Sequence, residues 1–221
     1  MSAKSFLVDT LASRLDIQDP AAGPIVDRIT AAAPGDPKAH LLAGVYYERT
    51  FDAADLDRSL SEYEKAAELD PANYALWLAV AKARDRIGDA DGTEAAFKRS
   101  SELAPNYADI HWAYGNFLLR QGHKDTGFAM IAAAAAANEE FSGPAVSIVF
   151  EIAGGDIAET RHILGNAPAV NAALTAMLFS QKRYADAVQA WSAIPIDLRQ
   201  DKYKRTSQDL LMTLLNAHQF R

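Results

Sequence analysis

Residues 71–105 read PANYALWLAVAKARDRIGDADGTEAAFKRSSELAP, and the chain repeats this stretch on either side of it. A shift of 34 residues places Trp77 on His111, Val80 on Tyr114, Ala81 on Gly115, Gly88 on Gly122, Phe97 on Ile131 and Ser100 on Ala134. In the other direction Tyr63, Ala66, Leu69 and Pro71 stand 34 residues before Phe97, Ser100, Leu103 and Pro105. Self-similarity at a fixed period of this size marks a repeat array, in which each unit buries its apolar face only against its neighbours.

The period and the residue types resemble the tetratricopeptide repeat, whose signature sets Trp, Leu-Gly and Tyr on a first helix and Ala, Phe and a closing Pro on a second. Trp77, Val80, Ala81, Gly88, Ala90, Thr93, Phe97, Ser100 and Pro105 occupy those places. Arg84 stands where an aromatic is usual, and Thr93 and Ser100 stand where Ala is usual. Small residues remain where two helices must approach closely. The resemblance implies an all-α fold of bacterial type, a right-handed superhelical solenoid of antiparallel helix pairs, with about six pairs and a terminal helix in one repeat domain over residues 1–221.

The units follow in order. Phe6, Leu7, Leu11 and Leu15, then Ile25, Val26 and Ile29, recur at helical spacing, and residues 1–36 read as an N-terminal capping pair closed by Pro34-Gly35-Asp36-Pro37. Residues 37–71, 72–105 and 106–139 are the best repeats. Gly44 and Ala81 are 37 residues apart, so three extra residues are expected in the turn around residues 51–57. The alanine run Ala132 to Ala137 suits close helix packing. A short, degenerate repeat follows at 142–167, a further repeat at 168–195, and a terminal or unfinished repeat helix at 197–221. Tyr63, Trp77, Val80, Phe97, Tyr114, Ile131, Leu174 and Trp191 are expected to be buried between helices.

Composition narrows the chemistry. The chain has 22 Lys and Arg against 29 Asp and Glu, a net charge of −7, which argues against nucleic acid or an anionic membrane as a partner. No apolar run is long enough for a signal peptide or a membrane span, so the chain is taken at face value as cytoplasmic, with no membrane insertion. There is no Cys, hence no disulfide, thiolate nucleophile or thiolate-bound zinc. Asp89, Asp91 and Gly92 resemble part of a calcium loop, but the third ligand and the closing bidentate Glu are missing, and a helix cap explains them. His40, His111, His123, His162 and His218 include no i, i+4 pair. No cofactor, metal or catalytic residue is expected, and the chain does not read as an enzyme.

What remains is a surface. In the family that the chain resembles, first helices line a concave groove, and the residues two before, one after, five after and nine after the Trp place face it. Those places hold Lys38, Leu41, Val45 and Arg49 in the first full repeat, Ala75, Leu78, Lys82 and Arg86 in the next, and Asp109, Trp112, Asn116 and Arg120 in the third. The resemblance therefore implies a peptide-binding groove, with Arg49, Arg86 and Arg120 as a ladder of cations along one rim. Helix-end electrostatics alone also accounts for cations at the ends of first helices. A carboxylate-bearing peptide with apolar residues matches Lys38, Lys82 and the arginines beside Leu41, Leu78 and Trp112. The two-carboxylate clamp of chaperone adaptors needs Lys and Asn where Leu41 and Val45 stand, so that partner is not expected.

The resulting expectation is a non-catalytic protein-interaction scaffold. The alternative is a docking module cut from a larger multidomain bacterial protein of secretion, envelope or polysaccharide assembly. Leu210, Leu211, Leu214, Leu215 and Phe220 make an apolar face at the end of the chain, which suits an unfinished repeat and self-association through the C-terminal helix.

Overall fold

The computed structural model describes residues 19, 22–49 and 52–216, and the fold of these residues is all-α, an antiparallel helical repeat of solenoid type. The helix expected over residues 5–15, with Phe51, His218 and Phe220, lies outside the described residues, as does the side chain of Leu214. The chain divides into two compact units, Met1–Pro105 and Asn106–Arg221.

The first unit contains α1 (Gly23–Ala32), α2 (Pro37–Glu48), α3 (Ala53–Leu69), α4 (Tyr74–Ile87) and α5 (Ala90–Leu103). The starts of α2, α3, α4 and α5 are set by short acidic and amide side chains. Asp36 accepts from Lys38 N, Asp52 from Ala54 N, Asn73 from Ala75 N and Asp89 from Gly92 N. Each satisfies a backbone donor that the helix itself cannot. Gly88 ends α4 at φ 81°, a left-handed position suited to glycine. The three extra residues of the first full repeat coincide with an earlier start of α3. That helix has 17 residues against 14 in α5, because Asp52 caps the helix one turn earlier than the apolar pattern suggests.

Packing in this unit depends on glycine and on satisfied hydroxyls. A Cβ on Gly44 would come within 2.5 Å of the Tyr63 ring, so only glycine lets α2 and α3 approach this closely. Tyr63, Val80 and Phe97 are each at most 2% exposed. The departures from the repeat signature are explained here. Thr93 and Ser100, both fully buried, donate to Asp89 O at 2.6 Å and Tyr74 O at 2.9 Å, so neither hydroxyl is left without a partner. Arg84 replaces an aromatic with a fork, reaching Glu64 Oε1 of α3 at 2.7 and 3.1 Å and Gly92 O at 3.2 Å.

The second unit contains α6 (Ala108–Arg120), α7 (Lys124–Ala137), a 3-10 turn (Glu139–Phe141), α8 (Ser142–Ile152), α9 (Ile157–Leu164), α10 (Pro168–Ser180), α11 (Tyr184–Ser192), α12 (Ile196–Gln200) and α13 (Lys204–Asn216). A cluster of its buried residues gathers around Ile131, Val146, Val149, Leu174 and Leu178. Within the alanine run, Ala134 and Ala135 are buried while Ala136 and Ala137 face out. In α13, Leu210 is buried, whereas Leu211, Met212 and Leu215 are exposed.

Six of the eight residues expected in the core are buried: Tyr63, Val80, Phe97, Tyr114, Ile131 and Leu174. Trp77 and Trp191 are only half-buried. Trp77 is drawn toward the turn before α4 by a bond from its Nε1 to Pro71 O at 3.0 Å. Trp191 meets Tyr203 edge-on, with ring centres 6.3 Å apart, at the rim of an open cavity. An indole has one polar edge, and where that edge finds a partner at the surface the ring stays there.

Candidate peptide groove

In the first unit, the proposed groove residues lie on α2 and α4, the first helices of consecutive pairs. Lys38 is exposed, Leu41 and Val45 are half-buried, and Arg49 follows as the residue that caps the end of α2. On α4, Ala75, Lys82 and Arg86 are exposed, but Leu78 is 8% exposed. Leu78 is therefore mainly a packing residue and presents little apolar surface to a ligand.

Arg86 already has a partner. Its Nη1 pairs with Glu48 Oε1 at the end of α2, and the Tyr63 hydroxyl of α3 donates to the other oxygen of the same carboxylate. Burial, and then the hydrogen bond and charge of Glu48, push the Tyr63 phenol far above its ordinary value. Tyr63 consequently stays a donor, and Glu48 joins three helices. Sequence periodicity does not reveal Glu48, because an acidic residue at a helix end carries no sign of the arginine 38 residues later that it meets.

A second side-chain contact to a carboxylate lies at the base of the same helix. His40 is buried, with Nδ1 at 2.5 Å from Glu62 Oε2 and Nε2 at 3.0 Å from Pro34 O. A carbonyl oxygen only accepts, so Nε2 is the side of the ring that donates to Pro34, and Nδ1 faces the Glu62 carboxylate. Burial raises the Glu62 carboxyl, but hydrogen bonds from His40 and Lys65 outweigh it and hold the group below the ordinary glutamate value.

In the second unit, α6 carries Asp109, exposed, and Trp112, half-buried and stacked on Phe141 with ring centres 5.2 Å apart and planes 27° apart. Asn116 donates its amide to Trp112 O at 2.8 Å, on its own helix. Arg120 is exposed in the last turn of α6. Trp112 thus presents one face of an aromatic pair, while Asn116 directs its donor inward along the helix.

Among the described residues, no three His, Asp or Glu side chains gather as a metal site, and no helix is long and apolar enough to cross a membrane. Asp89 acts as a helix cap, with its carboxylate turned to Gly92 N at 3.0 Å.

No protein-family model and no curated protein sequence matches the chain. Solved structures do match in fold. The crystal structure of MamA has a TM-score of 0.57 at 16% identity, over 74% of this chain and 91% of that one. YrrB, described as a TPR protein with an unusual peptide-binding site, has a TM-score of 0.53 at 14% identity, over 74% of this chain and 86% of that one. PilF of Pseudomonas aeruginosa has a TM-score of 0.50 at 15% identity, over 84% of this chain and 93% of that one.

Proposed function

We propose, from the premise that this chain has the tetratricopeptide-repeat fold, that it is a non-catalytic scaffold which holds a peptide or extended segment against the first helices of its pairs. The observation that carries this reading is the surface of α2 and α4. Exposed Lys38, Lys82 and Arg86 stand with half-buried Leu41 and Val45 on a chain whose net charge is −7. On this reading, the cations of the first helices border the apolar surface of Leu41 and Val45, and Arg86 is shared with Glu48.

The partner suited to that face carries carboxylates between apolar side chains. Lysine ammonium groups attract carboxylates without fixing their geometry, whereas a guanidinium can hold one bidentately. A ligand carboxylate reaching Arg86 must compete with Glu48. In the second unit, Trp112 and Arg120 would offer an aromatic face and a further cation. The peptide-binding site named for YrrB supports a peptide as the kind of ligand.

Selection from a displayed peptide library tests the proposal. Enrichment of Asp or Glu alternating with apolar residues is expected, with binding weakened several-fold by Lys82→Glu or Arg120→Glu and by raised salt. Selected peptides that lack acidic residues, or that bind both folded variants as tightly as the parent, would sink it.

A further inference from the structure

In the second unit, the C-terminal helices shape an open cavity of about 480 Å³. Its size lies within the range of small-ligand pockets, about 300–1,000 Å³. Trp191 and Ile196 give it an apolar wall, and Arg199 and Lys204 give it charge. Gln200, Ser207 and Gln208 complete the lining, and among the described residues no carboxylate is part of it. Asp197 and Asp201 lie on or next to α12 without lining the cavity.

The frame of this cavity is held by contacts that need no ligand. Tyr203 sits edge-on to Trp191 and donates its backbone N–H to Leu198 O at 2.9 Å. Lys202, in the turn between α12 and α13, pairs with Glu139, which lies 63 residues earlier. The Ser207 hydroxyl is turned to Arg199 O at 2.9 Å and Tyr203 O at 3.1 Å, so it braces the two helices. A cavity braced in this way keeps its shape when empty, which lowers the ordering cost of filling it.

Arg199 carries the argument further. Its Nε is shut off from water and has no acceptor among the described residues. The enclosed Nε is out of reach of a ligand in the open cavity, whereas the rest of the guanidinium is a fork made for a carboxylate. Lys204 adds a second positive charge to the same lining, while the indole of Trp191 and the side chain of Ile196, itself 63% exposed, offer surface to a flat apolar group.

We propose that this cavity is a binding site for a monocarboxylate carried on a flat apolar body, with Arg199 and Lys204 holding the carboxylate and Trp191 and Ile196 the body. A free arylalkanoic acid and the C-terminal aromatic residue of a peptide share that chemistry. The site is separate from the face of α2 and α4, so it stands or falls independently of the groove.

The experiment follows the three indole N–H resonances, with Trp191 assigned from Trp191→Phe. Probes are 3-phenylpropionate and N-acetyl-alanyl-phenylalanine, each beside its carboxamide. A saturable shift confined to Trp191 with the acids and absent with the amides is the expected result, and Lys204→Gln or Arg199→Gln should weaken it about tenfold, roughly the loss of one charge-assisted contact. Saturation by the free acid alone or by the peptide acid alone identifies the source of the carboxylate, and either supports the site. Equal binding of acid and amide, unchanged affinity in Lys204→Gln, or no Trp191 shift overturns the proposal. Should Arg199→Gln fail to fold, Lys204→Gln carries the test alone.

Discussion

His40 and Trp77, 37 residues apart and at the same place in consecutive repeats, make the same hydrogen bond: each ring nitrogen meets the carbonyl oxygen of a proline six residues earlier, Pro34 and Pro71, at 3.0 Å. The place thus holds a ring N–H donor that ties a first helix to the turn before it, and either residue type supplies one. Trp77→Phe keeps a ring but loses the donor, and should cost about 1 kcal/mol. Trp77→Ala also gives up half-buried ring surface and should cost about 2–3 kcal/mol, less than a fully buried tryptophan would. Urea unfolding of both variants checks this. A Trp77→Phe protein as stable as the parent would show that the bond to Pro71 contributes nothing.

Gly44→Ala should destabilise the first unit despite the better helix propensity of alanine. The new methyl group would lie 2.5 Å from the Tyr63 ring, and overpacking of this kind costs about 1–3 kcal/mol. Gly35→Ala is the control, since a Cβ there meets nothing within 4 Å. The two variants should separate clearly in thermal melts, and coincident melts would refute the close approach of α2 to α3.

Acid should loosen the His40–Glu62 clasp. Glu62 is held below its unfolded value of 4.5, so it binds fewer protons folded than unfolded. Its contribution is present above about pH 4.5 and is lost as pH falls through the lower folded value. Glu62→Gln should therefore be less stable than the parent at pH 7, with the gap narrowing toward pH 3. Unfolding at both pH values measures this, and a constant gap would mean that the carboxylate charge is not what matters.

Glu48 competes with any ligand for Arg86. On the groove reading, Glu48→Gln should tighten binding of an acidic peptide several-fold, and Arg86→Ala should weaken it. Both should leave stability within about 1 kcal/mol where the Arg86 pair is concerned, because part-exposed ion pairs contribute little. Fluorescence anisotropy with a selected peptide decides the sign. Tighter binding in Arg86→Ala would remove that arginine from the site.

Much of the fold was legible in the chain because a repeat writes the same local chemistry again and again. Tyr63, Phe97 and Ile131 mark one core place at a spacing of 34, and all three are at most 2% exposed. Helix starts were less legible. The residues before Leu56 read as turn, and Asp52 instead caps an earlier start of α3 there, a choice made by one side-chain oxygen. Arg84, Thr93, Ser100 and His111 depart from the repeat signature, and for the first three the structure supplies the partners that make the departures tolerable.

Among the described residues, the sequence by itself determined the all-α repeat and core places such as Tyr63, Phe97 and Ile131, since helical period and turn residues act over a few positions of chain. Only the tertiary structure decided what the cations do. It committed Arg86 to Glu48 and Arg84 to Glu64, stacked Trp112 on Phe141, and gathered Trp191, Arg199 and Lys204 around one cavity. Partner choice for a long charged or aromatic side chain depends on distances between residues far apart in the chain, and no local pattern encodes those distances.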